Sequence, residues 1–267
     1  MTRITAAFEQ LKREEKKGLI PFIVAGDPDL ATTAALLIEL ASAGATVIEL
    51  GVPFSDPVAD GPVIQRGSSR ALRNEFGIDE VLKTIALVRK QIDTPIVLFS
   101  YFNPLLQFGL DRLAGSAREA GVDGILVTDL IPEEAADLLR TCRSHQLDTI
   151  FLAAPSTSDD RLQLITTQAS GFIYAVSRFG VTGARAELGA EAQKLVQRIR
   201  RFSHLPVAVG FGISSASQVA ETWTYADAAV VGSIIVAEIE RLAGAPDLVY
   251  RIGDFIRGLK PDTLPTA

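Results

Sequence analysis

The chain has 267 residues, 48% hydrophobic and 22% charged, the proportions of an ordinary globular protein with a large core and not of a disordered chain. Its 26 basic and 32 acidic residues leave a net charge of −6 with no long basic stripe, which argues against nucleic acid or an anionic membrane surface as partner. Cys142 alone cannot close an internal disulfide, the opening "MTRITAAFEQLKREEKK" has no apolar signal core, and the longest strongly apolar stretch, 228–237, is far short of the roughly 20 residues that span a bilayer, so a cytoplasmic protein is expected.

In chain order, the sequence opens on an amphipathic helix with Ile4, Phe8 and Leu11 on one face, running into the mixed-charge, solvated "KREEKK". Short β-branched runs then alternate with longer segments of helical period, the pattern of βα units around a parallel sheet. Strands are predicted over 19–25, 46–50, 95–100, 124–128, 149–154, 172–176, 206–211 and 228–232. Most lack polar alternation, as expected when helices cover one face and a filled barrel interior the other. Between them, Ile78, Val81, Leu82, Ile85 and Val88 recur at core-facing helical spacing, as do Leu195, Val196 and Ile199. Gly44, Gly121 and Gly171 suit helix ends that need a left-handed residue, and Pro132 suits a first helical position. A closing helix over 247–260 turns Leu248, Ile252, Phe255 and Leu259 inward. Cys142 reads as core, and Trp223 as packing between helix and barrel.

No Ser/Gly/Pro-rich linker divides the chain, so residues 1–267 read as one domain. Eight βα units favour a (β/α)8 barrel with an extra N-terminal helix and a closing C-terminal helix. An open doubly wound sheet more often has five or six strands and a glycine-rich first turn, whereas here that turn is "AGDPD". No P-loop motif occurs either.

Barrels gather their chemistry at the C-terminal ends of the strands. The polar residues predicted there are Asp27, Glu49, Asp56, Asp60, Ser100, Tyr101, Asn103, Thr128, Asp129, Ser177 and Arg178, with Tyr174 inside its strand. Glu49 stands out, because it falls within a strand and should point into a partly apolar mouth, where desolvation raises a carboxyl pKa toward neutrality and makes acid/base work possible; the alternative is a carboxylate held in a salt bridge. Asp60 lies too far along the chain to share a regular element with it, so the two converge only if loop 51–62 folds back over the mouth. Asp60 also precedes a helix with Pro62 near its start, so it reads equally as a helix cap. Glycine-bearing loops follow the last three strands, at 177–184, 210–216 and 231–236, and a helix begins at Ser233. Exposed backbone N–H groups and a helix N-terminus there suit a phosphate. His145 and His204 are isolated and precede strands, so no metal site is expected.

The segment "IELGVPFSDPVADGPVIQ" resembles the signature of the tryptophan synthase α chain family, and the likeness continues in order through "PFIVAGDPD", "SYFNP", "LVTDLIPEE", "SRFGVTGA", "GFGISS" and "VVGSIIV". The resemblance implies a barrel that cleaves indole-3-glycerol phosphate into indole and glyceraldehyde 3-phosphate without metal or organic cofactor, and passes indole to a PLP-dependent β chain in an α2β2 assembly. It makes Glu49 the acid/base and Asp60 the carboxylate that binds the indole N–H. It matches Gly183, Gly212, Gly232 and Ser233 to phosphate-binding positions and Phe22, Tyr101 and Tyr174 to pocket positions. It also matches Thr182 to a mobile-loop residue that meets Asp60 on closure, with loops 51–62 and 177–189 as lids and Pro53 to Pro57 facing the β chain. Val24, Tyr225, Ala228 and Ile234 depart from the family pattern without removing a catalytic group. Two rival readings are a phosphate-binding-barrel isomerase of sugar phosphates or aminoimidazole ribonucleotides, opposed by the lack of a half-barrel repeat, and a non-catalytic activator of a β chain, opposed by the intact acidic pair.

Overall fold

In chain order the regular elements are α1 (Arg3–Arg13), β1 (Gly18–Val24), α2 (Leu30–Ser42), β2 (Ile48–Gly51), α3 (Pro62–Ala71), α4 (Ile78–Val88), β3 (Ile96–Ser100), α5 (Phe102–Phe108), α6 (Leu110–Ala120), β4 (Gly124–Val127), α7 (Ala136–Ser144), β5 (Asp148–Ala153), α8 (Asp159–Gln168), β6 (Ile173–Val176), α9 (Arg185–Arg200), β7 (Val207–Gly210), α10 (Ala216–Trp223), β8 (Ala228–Val231), α11 (Ser233–Leu242) and α12 (Leu248–Leu259). The computed structural model describes residues 1–176, 185–210 and 212–261. Each strand pairs in parallel with the next and β8 pairs with β1, giving a closed (β/α)8 barrel. None of the described helices is long and apolar enough to cross a membrane.

Period-two alternation divides every strand between two cores. Leu19, Ile23, Ile48, Leu50, Ile96 and Leu98 face the helix layer, where they meet Leu36, Leu40, Val81, Ile85 and the buried Cys142. Ile20, Val47, Val97, Leu126, Ile150 and Phe172 turn into the barrel and pack on Ile4 and Phe8 of α1, with the Phe8 and Phe172 rings 5.7 Å apart. Fully burying side chains of this size is worth about 1.5–3 kcal/mol each. The first helix therefore plugs the N-terminal end of the barrel. Two polar ties hold it there: Thr2 Oγ1 donates to Asp148 at 2.6 Å, and Arg3 donates to the buried Asp123 at 2.9 Å. Chemistry is thereby confined to the opposite, C-terminal end. Trp223 fastens α10 to the barrel by donating its indole N–H to the Gly18 carbonyl at 2.8 Å.

The predicted strands all form, with described ends either kept or displaced by one or two residues; the predicted end at 211 lies outside the described residues. The second shifts most: it starts two residues later, at Ile48, and Gly51, which pairs with Val24 and Phe99, extends it one residue beyond its last apolar residue. Gly44 and Gly121 do end helices with φ of +84° and +90°. Gly171, also at positive φ, instead sits in the turn into β6, since α8 already ends at Gln168. Pro132 opens a short 3-10 turn, Pro132–Glu134, ahead of α7 and not the α-helix itself.

Candidate active site

β2 places Glu49 opposite Phe22 of β1 and Val97 of β3, on the inward face. Its side chain is fully buried, and neither carboxyl oxygen has a hydrogen-bond partner among the described residues. Burial without compensation disfavours the charged form and pushes its pKa up to about 8. The salt bridge that the sequence left open for Glu49 does not form among the described residues. Tyr174 of β6 is buried in the same interior, and burial together with the nearby Glu49 drives its phenol upward, so it stays protonated. Its hydroxyl lies over Gly210, where an added Cβ would stand only 2.2 Å from it.

Asp60 reaches the same space from the loop after β2. The loop is anchored on Tyr101, whose hydroxyl accepts the Ala59 N–H at 3.0 Å and whose ring packs 5.3 Å from Phe54. Asp60 is not a helix cap. Pro62 opens α3, so the cap position falls to Gly61, and Asp60 is left free to turn toward the barrel mouth. Burial raises its carboxyl above the usual range, while the Tyr101 hydroxyl pulls it back down. The two acids thus sit in different electrostatic surroundings, one dry and unpaired, the other half-buried beside a phenol.

Phe22, Glu49, Asp60, Tyr174, Gly212, Gly232 and Ser233 all line one cavity of about 260 Å³. At its far side α11 begins at Ser233, and its cap residue Gly232 offers no side-chain hydrogen bond; the Ile235 N–H already donates to the Gly232 carbonyl, while the Ser233 and Ile234 N–H groups have no partner among the described residues and remain open to an anion. Gly212 adopts φ +81°, a left-handed conformation that suits glycine and presents its backbone to the same space. More voluminous grooves at the N-terminal end of the barrel, about 520 Å³ beside Lys12, Arg200 and His204 and about 560 Å³ beside Arg3, Arg13 and Asp93, hold none of these groups.

Other predicted strand-end residues do other work. Tyr101 holds the Asp60 loop from beneath and is not part of the cavity lining. Asp27 is buried in an ion pair with Arg70, Asp129 accepts the Phe102 N–H at the start of α5, and Asp56 and Asn103 are exposed. Ser177, Arg178, Thr182 and Gly183 lie outside the described residues. The cavity also includes Gly61, Ile64, Phe99 and Val230, which the sequence reading did not select. Phe99 and Val230 stand two residues before Tyr101 and Gly232, so counting by twos from residues already chosen would have found them.

The model of one protein family, described as tryptophan synthase alpha chain, matches residues 8–255. A tryptophan synthase alpha chain from Solibacter usitatus is 46% identical over 260 residues, covering 97% of each chain. Among solved structures, the tryptophan synthase subunit alpha of Legionella pneumophila superposes with a TM-score of 0.90 at 39% identity, covering 97% of both chains. A chain of the tryptophan synthase a2b2 complex of Pyrococcus furiosus superposes with a TM-score of 0.84 at 40% identity, over 91% of this chain and 97% of that one.

Proposed function

The chain belongs to the tryptophan synthase alpha chain family, and from that premise we propose how its cavity cleaves indole-3-glycerol phosphate. The enzyme is a lyase that releases indole and glyceraldehyde 3-phosphate and acts with a tryptophan synthase β chain. Glu49 is the acid and base of the reaction, and Asp60 is the carboxylate that receives the indole N–H.

Breaking the bond between indole C3 and the glycerol side chain requires C3 to be protonated and the adjacent hydroxyl to lose its proton. With a pKa of about 8, Glu49 is mostly protonated at neutral pH and has a proton to give to C3. Protonation leaves positive charge on the ring nitrogen, which the Asp60 carboxylate stabilises. The carbon–carbon bond then breaks with its electrons returning to the ring. The side-chain hydroxyl gives up its proton, directly or through a relay, to Glu49, and its carbon becomes the aldehyde. Glu49 is thereby restored.

Binding follows from the rest of the cavity. Phe22 and Phe99, 5.1 Å apart and edge-on, supply an apolar slot for a flat bicyclic ring, and Tyr174 borders it. Gly212, Gly232 and Ser233 with the α11 N-terminus take the phosphate, where backbone N–H groups and the helix dipole favour an anion. By resemblance the reading extends to Gly183 at the phosphate and to Thr182 meeting Asp60. Above the cavity, Val58, Leu106 and Ile131 are exposed apolar side chains on loops or helices following β2, β3 and β4, an apolar rim suited to the β chain. The chain works as one domain in the cytoplasm, a setting supported by its single buried free thiol.

The observation that carries this reading is the convergence of a fully buried, unpaired Glu49 and Asp60 on one cavity beside an open helix N-terminus. Indole release from indole-3-glycerol phosphate tests it. Glu49→Gln and Asp60→Asn are each expected to lower turnover by about 10² or more. Normal turnover in either variant removes that residue from the scheme, and no indole from the parent chain with or without a β chain removes the scheme.

A further inference from the structure

Behind the cavity runs a charged cluster that the reaction above does not use. Asp27, in the turn after β1, is 1% exposed and accepts two parallel hydrogen bonds from the Arg70 guanidinium, Nε to Oδ1 and Nη2 to Oδ2, both at 2.8 Å. The third nitrogen of the same guanidinium donates to Glu240 Oε1 at 2.7 Å. Glu240 is also gripped by Arg66, one helical turn before Arg70, at 2.9 and 2.8 Å. Arg66 and Arg70 belong to α3, and Glu240 belongs to α11. Between them the helices touch closely: a Cβ placed on Gly67 would lie 2.8 Å from Val236 and 3.0 Å from Asp27.

These are the two helices that open onto the cavity. Asp60 and Gly61 lead into α3, whose first turn contributes Ile64, and Ser233 begins α11. A buried ion pair is a poor device for stability, because desolvation offsets most of its Coulombic gain. A bidentate guanidinium fork is, by contrast, a good device for fixing geometry.

We propose that the Asp27–Arg70–Glu240 cluster is a clamp that sets the position of Asp60 relative to the phosphate-binding end of α11, which makes Arg70 a positioning residue; this rests on the function proposed above. The leverage follows from helix dimensions. With a rise of about 1.5 Å per residue, Arg70 stands about 4.5 Å and Pro62, where the Asp60 loop enters the helix, about 7.5 Å from the contact at Gly67. Slack of about 0.5 Å at Arg70 therefore moves the start of α3, and the Asp60 loop joined to it, by about 0.8 Å, close to the roughly 1 Å misplacement that costs on the order of 10²-fold in rate.

The test compares Arg70→Met, Arg70→Lys and Glu240→Gln, in the full chain with its β chain, by kcat and KM for indole release and by calorimetric binding of glycerol 3-phosphate. Arg70→Met should lower kcat/KM by about 10²-fold, with kcat falling, KM rising and glycerol 3-phosphate binding weakened together. Arg70→Lys should recover part of that loss. Glu240→Gln, on a side chain one-third exposed, should fold normally and lower kcat/KM by about 5-fold with unchanged thermal unfolding. Arg89→Met, which breaks the buried pair with Asp123 at the other end of the barrel, should lower the unfolding temperature and leave kcat and KM alone. Constants within twofold of the parent in Glu240→Gln and in whichever Arg70 variants fold overturn the clamp. A parent chain that releases no indole overturns the function, a separate result.

Discussion

Replacing Glu49 with glutamine should stabilise the protein, and by an amount that grows with pH. The folded carboxyl titrates at about 8, against 4.5 for the exposed group. Between those values the folded chain holds a proton that the unfolded chain has released, so stability falls as pH rises from 4.5 and levels off above 8. Each unit of difference is worth about 1.4 kcal/mol, so the parent is penalised by about 1 kcal/mol at pH 5, about 3 at pH 7 and about 5 at pH 9. Glutamine does not titrate and escapes the penalty. Its packing and hydrogen bonding differ from those of the acid, but that difference is the same at every pH and cancels when two pH values are compared. The stability gap between variant and parent should therefore widen by about 4 kcal/mol from pH 5 to pH 9, or roughly 10 °C in unfolding temperature for a chain of this size. Urea titrations of both proteins at pH 5, 7 and 9 measure it. A gap that stays constant to within about 1 kcal/mol would mean that Glu49 ionises normally in the fold, and the acid role built on its burial would go with it.

Two further outcomes follow from the same geometry. In the proposed cycle Glu49 begins protonated, so kcat/KM for indole release should hold level through neutral pH and fall with an apparent pKa of about 8; a rate that rises across that range would make the ionised form the active one. Gly210→Ala would set a Cβ 2.2 Å from the Tyr174 hydroxyl and 2.9 Å from Val230 Cβ, so the tyrosine must move. That overpacking should cost about 1–3 kcal/mol of stability and raise KM, and a variant with parental KM would show that the tyrosine hydroxyl does not shape the bound state.

The barrel was legible because its strands are buried on both faces and therefore read as short apolar runs such as "PIVLFS", with amphipathic segments between them. Glu49 was legible for the same reason, as the one acid inside such a run. What stayed hidden depends on pairing across the chain. Asp60 could be cap or catalyst until Gly61 was seen to take the cap position. Asp27 read as a strand-end site residue, yet its partner Arg70 lies 43 residues away and turns it into part of a helix clamp. Phe99 looked like ordinary strand core, and only the register that sets Phe22 beside Glu49 and Phe99 beside Gly51 shows that the two rings share the mouth of the barrel.

The placement of the acids also explains why a carboxyl is kept where it weakens the fold. Two carboxyls in similar surroundings would titrate together and could not divide the work of donor and counter-charge. Among the described residues the interior around Glu49 offers neither partner nor solvent, which pushes its pKa up to about 8, while Asp60, also raised by burial, lies half-buried on a loop beside the Tyr101 hydroxyl, which draws it back down. Environments that push two acids apart assign their roles before substrate arrives. In the proposed reaction, when C3 takes the proton of Glu49 the new positive charge develops on the ring nitrogen that Asp60 receives, and that attraction is strongest in the transition state, where it accelerates the reaction instead of merely tightening binding. In the proposed reaction the stability lost at Glu49 and the speed gained at the indole ring thus arise from one cause, a carboxyl with no partner among the described residues until the substrate supplies one.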